Sequence, residues 1–219
     1  EPDSIIDKAY NEKSINPMAT ESDITLESLC TALGQLPLVY QPGTFWRYSF
    51  ATDVTARLIE VVSGQRFDEF LKERIFEPLG MHDTDFYVPI EKQDRLTTLY
   101  LPADPLDPMS QCVAPMDSQA NTTTDKVPSF LSGGGGLMST LTDFLAFSKM
   151  IIGEGQLNGK TLVKPETLSL MKTNQCAEGV GVNFPMWNMP GTTFGLGFAL
   201  KEQPADDEPQ SAIGEYHWG

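Results

Sequence analysis

The residue best placed to do chemistry is Tyr48. It follows the Pro42-Gly43 turn signal and precedes a helical pattern, with Ser49 beside it. A tyrosine hydroxyl at such a junction can face a cleft and relay protons when a nearby cation lowers its pKa. It can equally be a tyrosine whose hydroxyl is satisfied locally, and the flanking residues leave both readings open. Phe45, Trp46 and Phe50 surround it, either as an apolar substrate wall or as core. One Ser-x-x-Lys pattern is present, Ser169-Leu170-Met171-Lys172. Here the pair falls at the end of a short helical pattern, where no amide donors assist it. The expected roles are a polar surface residue and a cation suited to the helix C-terminus.

Other chemistries find little support. The two histidines, His82 and His217, are too few for an all-histidine metal site, and no HExxH occurs. Cys30, Cys112 and Cys176 are widely spaced, odd in number and form no CxxC, which favours a reducing, cytoplasmic location. Cys30 reads as a small buried hydrophobe. No metal or organic cofactor is expected. The run Gly133 to Gly136 continues into Leu137-Met138 instead of Lys-Ser/Thr, so it reads as a tight turn or a close backbone approach. The chain of 219 residues carries 30 acidic and 15 basic side chains, a formal charge of -15. That balance argues against nucleic acid as a partner, because a basic footprint supplies most non-specific affinity. No apolar run is long enough to span a membrane. The start, EPDSIIDKAYNEKS, has neither the basic start nor the apolar stretch of a secretion signal.

The positioning elements are mostly helical. Residues 1–22 read as polar and unpatterned. Residues 25–36 read as a helix with Thr25 as cap and Leu26, Leu29, Cys30 and Leu33 on one face. A second helix covers 51–63, with Val54, Leu58, Val61 and Val62 as its apolar stripe and Gly64 just beyond its end. A third covers 67–76, burying Phe67, Phe70, Leu71 and Ile75. Residues 89–132 read as a long irregular connection. Thr140-Leu141-Thr142-Asp143 fits a capping box with Asp in place of Glu, opening a helix whose stripe is Leu141, Phe144, Leu145 and Ile152. GEGQLNGKTL is turn-rich, and Pro165 opens a short helix through Met171. Then the period changes. Phe194, Leu196, Phe198 and Leu200 alternate with small residues, which predicts one strand, and 211–218 predicts a second. Two strands alone are marginal in water. The expected organisation is therefore a mainly helical lobe over 1–192, with an irregular loop near 89–136, and two antiparallel strands over 193–219. The expected fold class is α+β, with a sheet only begun by Gly219.

Several runs carry a family likeness. They are PGTFWRYS, the helix ending in SGQ, FDEFLKERIFEPLGM with its following Asp83-Thr84, SGGGGLMSTLTDFLAFSKMIIGEGQLNGKTL, and FGLGFAL. In order and spacing they resemble the serine beta-lactamase-like and penicillin-binding-protein-like family, in its esterase-type branch, and the chain looks like that family's middle portion, incomplete at both ends. The resemblance implies a helical lobe beside an antiparallel sheet, with an active site of three stations between them. Ser-x-x-Lys supplies the nucleophile and its base. Tyr48 matches the second station, Tyr-Ser-x. His217-Trp218-Gly219 matches the third, where main chain lines an oxyanion pocket. Whether His217 or Trp218 takes the lysine position of that station stays open. No in-order Ser-x-x-Lys precedes Tyr48. Phe50 stands where the Tyr-x-Asn form has an amide, which weakens a beta-lactamase or D-amino-acid peptidase reading and fits esterases.

The implied function is a serine hydrolase that acts on small carboxylic esters or amides through an acyl-enzyme. Missing polypeptide would be needed to complete it, and the chain as it stands is expected to be inactive. A catalytically inactive binding or scaffolding homologue is the competing class.

Overall fold

The structure is a computed structural model, and it describes residues 5–13, 15, 23–102, 113–115, 128–182, 189–203 and 213–218. The opening segment holds a helix, α1 (Ile5–Glu12), where the sequence reads as unpatterned. Its anchor is small: Ile6 and Ile15 are buried. Ile5, Ile6, Ala9 and Tyr10 recur at helical spacing, a periodic signal that reading the stretch as unpatterned overlooks.

Helix α2 (Leu26–Leu33) is capped as expected, with the Thr25 hydroxyl accepting from the Ser28 amide. Leu26 and Leu29 are buried, while Cys30 is only half-buried, which corrects its expected full burial. Burial still pushes the Cys30 thiol pKa up. Helix α3 (Ala51–Ser63) has the predicted limits and ends at Gly64. Helix α4 (Phe67–Leu71) runs without a break through a π-turn (Lys72–Phe76) into α5 (Glu77–Leu79). A 3-10 helix (Ile90–Arg95) and a strand pair, β1 (Tyr100–Pro102) with β2 (Val113–Pro115), structure part of the long connection. The NTTTD run lies outside the described residues.

Helix α6 (Leu141–Ile152) follows the glycines. Its predicted capping box is made by half. The Thr140 hydroxyl accepts from the Asp143 amide at 3.2 Å, but the Asp143 carboxylate does not return to the cap. Instead it accepts from the Asp83 amide at 2.8 Å and from the Thr84 hydroxyl at 2.9 Å. This explains the Asp83-Thr84 pair physically: it docks the segment after α5 onto the start of α6. Asp83 also takes salt bridges from Lys92 and Arg95, which hold its carboxyl down at about 2. Asp143 is buried. Replacing it by Ala strands the Asp83 amide and removes one partner of Thr84. The expected loss is about 2–3 kcal/mol in urea unfolding. Wild-type stability in that variant would show that water replaces the carboxylate.

Two apolar stripes are turned the other way from the sequence expectation. Val54, Leu58, Val61 and Val62 of α3 are exposed, Val62 by 78%. The buried side of α3 is instead Asp53 and Ala56, with Ile59 packed beside Leu26, Phe67, Phe86 and Leu131. On α6, Leu141, Phe144, Leu145 and Ile152 are also exposed, Leu141 by 85%. Its core side is Met150 and Ile151, aided by Ala146 and Phe147. On α3 the inward face is the less apolar one; both helices bury the face that packs against the two clusters among the described residues.

The second core joins α5, α6 and α7 (Pro165–Met171) to the sheet, through Phe76, Leu79, Met81, Met150, Ile151 and Leu168, with Phe198 and Tyr216 against them. A small hairpin, β3 (Gln156–Leu157) and β4 (Lys160–Thr161), turns on Asn158-Gly159.

The sheet corrects the expected pair of strands. Among the described residues it has three: β5 (Thr192–Phe194), β6 (Ala199–Lys201) and β7 (Tyr216–His217), antiparallel in the order β5-β6-β7. The alternation from Phe194 to Leu200 is a hairpin rather than one strand. The Gly195 amide donates to the Phe198 carbonyl and closes the turn, and Gly197 holds φ at 89°. A Cβ on Gly195 would lie 2.0 Å from the Met171 carbonyl oxygen, so the turn sits directly on the end of α7. Central strand β6 is buried at all three residues. The architecture is α+β, helices against a small antiparallel sheet.

Candidate active site

The loop before α3 meets the sheet where β5 and β7 end. Two interactions fix the loop. The Thr44 hydroxyl donates to the Gln41 carbonyl at 2.7 Å, closing the Pro42-Gly43 turn, and the Ala51 amide donates to the Ser49 hydroxyl at 3.1 Å. Phe50 acts as N-cap residue through its carbonyl, which accepts from the Val54 amide. Tyr48 is thereby presented at the mouth of α3, and 47% of its surface is exposed.

Its ring stacks on Trp218, with centroids 6.0 Å apart and planes 27° apart. Trp218 also meets Phe194 edge-on at 4.9 Å and Trp46 at 5.9 Å, while Trp46 and Phe194 are 5.2 Å apart. These offset and edge-on arrangements are the favourable ones for aromatic pairs. Four rings therefore tie the tyrosine loop to the sheet. The second and third stations expected from the sequence lie side by side.

The other expected residues are placed as follows. His217 is exposed on β7, paired with Ala199 across the ladder. Gly219 lies outside the described residues. Of the three residues considered as a substrate wall, Trp46 joins the cluster. Phe45 packs on Tyr40 at 4.4 Å, and Phe50 on Tyr10 at 5.7 Å. Ser169 is exposed at the end of α7; its carbonyl accepts from the Thr173 hydroxyl. Lys172 lies 5.5 Å over the Tyr216 ring. Phe194 is the cluster member that sequence reasoning missed. It was visible only as one apolar position in a strand pattern, and nothing in that pattern tells a site residue from a core residue.

Among the described residues, no group of three or more His, Cys, Asp or Glu is arranged to hold a metal ion. No helix there is long and apolar enough to cross a membrane.

The Tyr48-Ser49 loop at the start of α3 is thus packed against Trp218 at the end of the antiparallel sheet. The Beta-lactamase family model matches residues 2–219, and the chain belongs to this beta-lactamase, penicillin-binding-protein and esterase superfamily. It is 31% identical over 220 residues to the uncharacterized protein MT1414 of Mycobacterium tuberculosis (strain CDC 1551 / Oshkosh), covering 97% of this chain and 51% of that protein. It is 25% identical over 222 residues to Esterase EstB of Burkholderia gladioli, covering 96% of this chain and 53% of EstB. Among solved structures, EstCE1, a hydrolase with promiscuous acyltransferase activity, aligns with a TM-score of 0.71 at 24% identity, covering 89% of this chain and 51% of that one. That last likeness concerns the fold. The chain spans about half the length of these relatives.

Proposed function

We propose that this chain supplies the tyrosine-bearing wall of a serine hydrolase that acts on small carboxylic esters or amides through an acyl-enzyme. The observation that carries the reading is the stacking of Tyr48 on Trp218, which joins two of the three stations expected from the sequence. The first station, a Ser-x-x-Lys pair, is proposed to come from polypeptide outside this sequence. Two features support that: the exposed apolar faces of α3 and α6, and the greater length of the relatives. The similarity to an esterase and the aromatic, uncharged character of the cluster favour esters over anionic beta-lactams.

In this mechanism the serine oxygen attacks the substrate carbonyl, and the lysine takes the serine proton. Main-chain donors beside Trp218 stabilise the resulting oxyanion. Tyr48 passes a proton to the departing alkoxide or amine as the carbonyl–leaving-group bond breaks. Water then attacks the acyl-enzyme and releases the acid, or an acceptor alcohol or amine captures the acyl group. No metal or organic cofactor takes part.

A fluorophosphonate probe tests this directly. The complete protein should be labelled at one serine, and the 219-residue chain should not be. A complete protein that stays unlabelled would favour the binding or scaffolding role.

A further inference from the structure

Asp53 is a buried carboxylate that the proposed mechanism does not use. It lies in the first turn of α3, shortly after Tyr48, and is 5% exposed. Its Oδ1 accepts from the Ser132 hydroxyl at 2.7 Å and from the Gly133 amide at 3.0 Å. The Ser132 oxygen in turn accepts from the Gly134 amide at 3.1 Å. A Cβ on Gly133 would stand 2.2 Å from the Thr52 carbonyl oxygen, and one on Gly134 would stand 2.8 Å from the Thr52 hydroxyl. The glycine run therefore passes directly over the first turn of α3.

The far end of this strap is fixed as well. Asp85 and Met138 exchange both main-chain hydrogen bonds, at 2.8 and 3.1 Å. Between the two anchors, Gly134 to Leu137 are exposed, and a Cβ on Gly135 would meet nothing within 4 Å. Glycine loses more conformational freedom on ordering than any other residue. A run of four needs strong anchors to keep one path, and a buried carboxylate with two donors is a strong one.

We propose that Asp53 is a positioning residue of the Tyr48 site. It holds the Ser132–Leu137 strap against the turn that follows Tyr48, so that the strap forms one edge of the substrate cleft. That edge is glycine main chain and Leu137, without a charged side chain, and it suits the neutral acyl or alcohol portion of an ester. The inference rests on Tyr48 being an active-site station.

The test uses Asp53→Ala and Asp53→Asn in the complete protein, with p-nitrophenyl butyrate as substrate. Asn keeps an oxygen acceptor for Ser132 and Gly133. The Ala variant should raise KM by about tenfold with kcat within about threefold, and the Asn variant should stay within about twofold of wild type. Exchange of the Gly133 amide should quicken in the Ala variant only. Should the Ala variant not fold, Ser132→Ala, which removes one of the two bonds, is read in the same way. A folded Ala variant with wild-type KM overturns the inference and leaves the Tyr48 reading standing. If the wild-type complete protein turns over neither ester nor amide, the Tyr48 reading falls and hydrogen exchange of the Gly133 amide decides. Equal exchange in both variants then overturns the anchoring role, and quickening confined to Ala upholds it.

Discussion

Tyr48→Phe in the complete protein should lower kcat for a small carboxylic ester by about 10²- to 10⁴-fold, the usual contribution of one proton-transfer group. The substitution deletes one oxygen and leaves the ring. Stacking on Trp218 is a ring contact, with centroids 6.0 Å apart, so it survives the change. The cluster that ties the α3 loop to the sheet should therefore stay in place, and the unfolding midpoint should move little. KM should also change little, because the hydroxyl is proposed to act on the leaving group as its bond breaks and not on the bound ground state. The measurement is steady-state hydrolysis beside thermal unfolding. A loss below about tenfold would remove Tyr48 from proton transfer, since one good proton donor is worth more than that. A matching fall in the unfolding midpoint would recast it as a structural tyrosine.

What the sequence made legible follows from how local each signal is. The limits of α3 are written in its flanks: a turn before it and Gly64 after it. The Thr25 and Thr140 caps are equally local. The burial of Asp53 was not legible, because its partners Ser132 and Gly133 lie 79 and 80 residues away. The destination of the Asp143 carboxylate was hidden for the same reason. The Phe194–Leu200 run has the period of a strand whether or not it folds back; the left-handed Gly197 and the Gly195–Phe198 main-chain hydrogen bond make it a hairpin. The meeting of Tyr48 with Trp218 was legible from the order of family-like runs. No periodicity would have brought together residues so far apart.

The two misplaced stripes have a different cause. A stripe such as Val54, Leu58, Val61 and Val62 reports which face wants burial, not what buries it. In this chain nothing described covers that face, nor the face of α6 bearing Leu141, Phe144, Leu145 and Ile152. If the polypeptide proposed to bring the nucleophile also covers these faces, a charge placed there should act differently in the two contexts. Leu58→Asp and Phe144→Asp should shift the stability of the 219-residue chain by no more than about 0.5 kcal/mol, as surface changes do. In the complete protein each should cost about 3 kcal/mol or more, because a carboxylate would then enter an apolar interface without a partner. Ala56→Asp is the control. Ala56, on α3, is buried among Leu26, Phe67, Phe86 and Leu131, so the loss from a carboxylate there should be large in both contexts. Urea unfolding of the six variants measures all of this. Equal, small effects of Leu58→Asp and Phe144→Asp in both contexts would mean that these faces stay in water, and the nucleophile-bearing segment would have to dock elsewhere.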